Sequence, residues 1–68
     1  MSKYIVTMLL AGPNTPEFVF KNKNEAIEKA EYFFKKGIDE TLILEAKFNF
    51  KLIKLEKNII WMFGKEVK

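Results

Sequence analysis

The alternation of polar and apolar positions changes rhythm several times along this chain, and each change marks an element. Residues 3–11, KYIVTMLLA, are apolar on both alternating sets: Tyr4, Val6, Met8 and Leu10 on one, Ile5, Leu9 and Ala11 with Thr7 on the other. A short run rich in β-branched and large apolar residues predicts a strand. It stops at GPNTP, a turn cluster whose prolines cannot donate to a ladder. Residues 17–21, EFVFK, alternate again and predict a second strand, the two forming an antiparallel hairpin.

The period then becomes helical. Asn24 is read as an N-cap, with Glu25 and Glu28 near the positive end of the dipole and Lys35 and Lys36 in the last turn; Gly37 suits C′. The predicted helix covers residues 25–36. Ala26, Ile27, Ala30, Phe33 and Phe34 share one face. Tyr32 points the other way, among Glu25, Glu28, Lys29 and Lys36, which leaves its ring on the solvent side.

Residues 41–55 read as a third strand. Leu42, Leu44, Ala46, Phe48, Phe50 and Leu52 share a face that is expected to pack against the helix, while Glu45, Lys47, Asn49 and Lys51 share the other. Such a strand would span roughly 50 Å, far more than usual, and its phase changes at Leu52-Ile53, where a bulge or sharp bend is expected. Glu56-Lys57-Asn58 is read as a turn, residues 59–63 as a fourth strand ended by Gly64, and the tail as polar. The prediction is one α+β domain over residues 1–68, ordered β-β-α-β-β, an antiparallel sheet with one helix on one face.

Size sharpens the picture. Sixty-eight residues make a marginal core, and small domains usually add a disulfide, a metal or a second chain. There is no cysteine and no histidine, which removes disulfides, thiol and Ser-His catalysis, and ordinary zinc sites. No cofactor is expected. One helix covers one face of a sheet, so the apolar second face of the first strand is either curled under the tail or a dimer surface. The expectation is a homodimer through the first strand and residues 53–63. A compact monomer with Trp61 buried in its own core would overturn it.

Charge and motifs restrict function further. The formal charge of +3 comes from twelve Lys without Arg, a weak basic signal for nucleic acid. Lys47, Lys51, Lys54 and Lys57 interleave with Phe48 and Phe50, but the alternation turns those rings away from Lys47 and Lys51. The expectation is that rings and charges do not share a surface. No signal peptide or membrane span is evident, and a cytoplasmic location without a membrane partner is expected. No Gly-rich phosphate loop or catalytic constellation is present, so the chain is read as a non-enzyme. Exposed aromatics are favoured interface anchors. The candidate partner-binding residues are Tyr32, Glu31, Glu28, Phe34 and Trp61. Phe34 and Trp61 are read first as core and second as contact residues.

YIVTMLL at residues 4–10, and the order hairpin, helix, then a strand opening with the acidic pair Asp39-Glu40 before TLILEAKF, resemble the small dimeric phage inhibitors of uracil-DNA glycosylase. The resemblance covers roughly residues 4–48. It implies a DNA mimic: helix aromatics across a dimer take an apolar residue of the enzyme, and carboxylates meet its basic groove. The matching segment is AEYFF, with Glu31 as a carboxylate and Tyr32 or Phe34 as pocket aromatics. Two features depart from the family, the net positive charge and the fourth strand. A protein target, such as a DNA-repair or other DNA-binding enzyme in a host cytoplasm, is therefore the expected partner. A Lys-rich nucleic-acid-binding module and a dimeric structural domain are the alternatives.

Overall fold

A computed structural model describes residues 2–9, 12 and 14–67. The fold is α+β. Strands β1 (Ser2–Met8) and β2 (Phe18–Phe20) precede helix α1 (Lys23–Lys35), and β3 (Thr41–Asn49), β4 (Lys54–Met62) and β5 (Lys65–Glu66) follow it. They form an antiparallel sheet in the order β2-β1-β3-β4-β5, with α1 packed on one face. The expected extension of the first strand through Leu10 and Ala11, and Pro13 of the following loop, lie outside the described residues.

The helix begins earlier than its pattern predicts. Asn22, not Asn24, is the N-cap: its Oδ1 accepts from the backbone N–H of Asn24 at 2.8 Å and of Glu25 at 3.3 Å. The missed signal is Glu25, three residues beyond Asn22, the spacing of a capping box. At the other end Lys36 is the C-cap, and Gly37 takes the left-handed conformation expected of it, φ 95°.

The long third strand does not exist as such. The chain reverses at residues 50–53, and β4 returns along β3 with Lys47 opposite Glu56 and Phe48 opposite Leu55. The phase change at Leu52-Ile53 is therefore a hairpin turn rather than a bulge. Asn49 builds it, its Oδ1 accepting from the N–H groups of Lys51 and Leu52 and its amide donating to Glu56 Oε1 at 2.9 Å. Glu56, Lys57 and Asn58, read as a turn, are strand residues. The bulge sits elsewhere. Ile43 pairs with Trp61 and Leu44 with Ile59, so Ile60 is the extra residue. This explains the unbroken apolar run 59–63: Ile59 joins Leu44 on one face, while Ile60 and Trp61 both pack into the core.

A last hairpin adds the unforeseen β5. Phe63 and Gly64 form its two-residue turn, both at positive φ (55° and 81°), as turns that match strand twist require. A Cβ built on Gly64 would lie 2.8 Å from the Phe34 ring. Gly64→Ala should cost about 1–3 kcal/mol, from backbone strain plus displacement of Phe34. Thermal melting followed by circular dichroism measures it, and a variant as stable as the parent would show that the turn rearranges freely. Lys23 ties α1 to β5 through Glu66 at 2.9 Å, and that hydrogen bond and charge push the Lys23 pKa up.

The core lies between α1 and the sheet. Val6, Ala26, Ala30, Ile43 and Trp61 are buried together, with Tyr4, Phe18, Phe20, Ile27, Phe33, Phe34 and Ile60 packed around them. The helix-facing residues of β3 are thus Thr41 and Ile43, not the expected Leu42, Leu44, Phe48 and Phe50. Leu42, Leu44, Ala46 and Phe48 alternate to the opposite face. The reason is length. A helix of 13 residues reaches about 20 Å, enough to cover only one end of the sheet. Beyond it the helix-side positions become Glu45, Lys47 and Asn49, which need no cover.

Candidate functional site

On the outer side of α1, Tyr32 is 51% exposed, as its phase predicts. It borders a shallow recess of about 430 Å³ with Phe20, Glu25, Glu28 and Lys29. The carboxylates do not ring it alone. Lys36 Nζ lies 4.8 Å and Lys29 Nζ 5.5 Å from the ring centroid, so cations face the π-system. Glu31 and Glu28 are exposed on the same helix. This surface is zwitterionic rather than acidic.

The other two expected contact residues sit differently. Phe34 is half-buried and meets Trp61 edge-on, centroids 6.1 Å apart. Trp61 is 2% exposed beneath the helix and presents no surface to a partner. Its burial counts against the reading of 59–63 as the dimer surface.

These placements separate Tyr32 from its neighbour Phe33, which packs 5.4 Å from Phe18. Phe33→Ala should cost about 2–3 kcal/mol, somewhat less than full burial would give. Tyr32→Ala should stay within about 1 kcal/mol. Equilibrium urea denaturation compares them, and a larger loss for Tyr32→Ala would contradict this packing.

The second surface is the sheet face away from α1. Ile5, Leu42 and Ala46 lie at its centre, and Val19 (56% exposed), Leu55 (55%), Phe48 (40%) and Ile59 (39%) surround them. A groove of about 380 Å³ runs between Val19, Ile5, Ala46, Phe48 and Leu55, with Lys3 at its edge. Ala46 pairs with both Lys3 and Lys57, which places these cations on the face that carries Phe48. Phe50 leans on Phe48, centroids 4.8 Å apart. Rings and charges therefore do share a surface, against expectation. The lysines come from β1 and β4, and only cross-strand pairing reveals them. The strand carboxylates Glu45, Glu56 and Glu66 all fall on the helix side.

The centre of this face is buried within the single chain, Leu42 at 4% exposed, and its open part is the surrounding ring of Val19, Phe48, Leu55 and Ile59. The accessible surface is 5168 Å² for a mass of 8.0 kDa, where a folded monomer of that mass exposes about 4,450 Å². The radius of gyration is 12.1 Å, against about 11 Å for a compact chain of this length.

Among the described residues, no group of acidic side chains is placed to hold a metal, and no helix is long and apolar enough to cross a membrane. Compared with known protein families, curated proteins and solved structures, the chain matches none.

Proposed function

We propose that this chain is a small non-enzymatic protein-binding module, of the inhibitor or adaptor kind, that works as a homodimer. The observation that carries the reading is the open apolar sheet face. Around its buried centre, Val19, Phe48, Leu55 and Ile59 leave large apolar side chains exposed beside a groove of about 380 Å³, and a marginal 68-residue domain gains from covering them. In this reading the open face pairs two copies, and the surface around Tyr32 meets the target. A half-exposed ring among Glu25, Glu28, Lys29 and Lys36 supplies an apolar anchor inside a polar rim, the usual anatomy of a contact hot spot.

A zwitterionic surface favours a protein target over mimicry of a polyanion. The likeness of residues 4–48 to uracil-DNA glycosylase inhibitors still makes that enzyme the first target to try. The trial is uracil excision by a bacterial uracil-DNA glycosylase with the protein added, beside affinity capture from a bacterial lysate with and without nuclease. Inhibition that Tyr32→Ala or Glu31→Lys weakens without unfolding the chain supports the reading, and the charge change should slow association most at low salt. No inhibition at a large molar excess removes that target. Salt-sensitive binding to bare DNA favours instead the lysines and rings that share the sheet face.

A further inference from the structure

The charge of this chain is concentrated in one hairpin. Lys47, Lys51, Lys54 and Lys57 against Glu56 leave +3 within residues 47–57, which is the whole formal charge; the other eight Lys and eight carboxylates cancel. All these lysines are exposed, and the Glu56 carboxylate is engaged by Asn49. The hairpin also runs past the helix. Asn49 lies about 20 Å along β3 from Ile43, which packs under α1, in a molecule 40 Å long.

Its tip is apolar where turns are usually Gly, Asn, Asp or Ser. Phe50 and Ile53 are each 79% exposed and Leu52 61%. None of these side chains belongs to the buried core, and Ile53 holds φ 48°, a left-handed conformation that a β-branched residue rarely adopts. Phe50 meets the Phe48 ring, but neither core packing nor turn geometry accounts for Leu52 and Ile53.

We infer that this tip is a peripheral anchor for an anionic lipid surface, with Phe50, Leu52 and Ile53 entering the interface and the surrounding lysines meeting headgroup phosphates. The occupant has to be both apolar and negatively charged. A single-stranded nucleic acid would use the Phe50 ring but has no use for Leu52 and Ile53, since bases stack on aromatic faces. Two tips of this chain would bring +3 against +3. An anionic bilayer satisfies both halves of the pattern, as amphipathic surface binders do. Peripheral binding needs no membrane-spanning helix, and it departs from the expectation of no membrane partner.

The test is co-sedimentation of the full chain with vesicles of phosphatidylcholine alone and of phosphatidylcholine with phosphatidylglycerol. Binding should be at least about tenfold stronger to the anionic vesicles and fall as salt is raised. Ile53→Gly removes the apolar group while relaxing the backbone, so it should fold normally, with the emission of buried Trp61 unchanged, yet bind about tenfold more weakly. Phe50→Trp should give a new emission that shifts to the blue with anionic vesicles. No binding to anionic vesicles, full binding by Ile53→Gly, or a Phe50→Trp shift produced by a single-stranded oligonucleotide and not by vesicles would each overturn the inference.

Discussion

Trp61→Ala should remove about 3–5 kcal/mol, half or more of the stability of a typical domain this size. The indole is 2% exposed and packs with Val6, Ala26, Ala30 and Ile43, edge-on to Phe34. It joins both layers of the domain, because it pairs with Ile43 in the sheet and lies under the small residues of α1. Ala26 and Ala30 bring the helix backbone close, so little could move in to fill the hole. Truncating a buried Trp costs about 3–5 kcal/mol. A domain of 68 residues has about 3–10 kcal/mol in all. Trp61 is the sole tryptophan, so unfolding is followed by far-ultraviolet circular dichroism in urea. A loss below about 1 kcal/mol would mean that Trp61 is not core and would restore it as a contact residue.

Leu55→Asp should separate the proposed dimer while leaving the monomer folded. Leu55 is 55% exposed in the single chain, so the monomer loses little by the change. In the proposed pair it lies beside Phe48 in the covered face, where Asp removes an apolar contact and must be desolvated, partly offset by Lys3 and Lys57 on the same face. Association should weaken by about tenfold or more. Sedimentation equilibrium at micromolar concentration should give twice the chain mass for the parent and one chain mass for Leu55→Asp. A monomeric parent refutes the dimer, and an unchanged mass for the variant refutes this face.

Elements with one clear period were legible. The helix, its C-terminal glycine, the outward Tyr32 and the first hairpin all follow from spacing and turn chemistry. The β3–β4 reversal was not, because Phe50, Leu52 and Ile53 are poor turn residues. Asn49 makes the turn with its side chain, and an Asn inside an alternating run carries no mark of that role. The facing of β3 failed for a related reason. Leu42, Ile43 and Leu44 are all apolar, so either parity could meet the helix.

The sequence alone determined the class of fold, the lack of any disulfide staple, and the existence of an apolar surface larger than one helix can cover. These are local or additive properties: period, composition and area. Tertiary structure decided which apolar set is core and which is open, and it placed Lys3 and Lys57 beside Phe48 and the chain's net charge behind an apolar tip. Those outcomes depend on register and on how far the helix reaches along the sheet. Each is set by contacts between residues distant in sequence, which no pattern read along the chain contains.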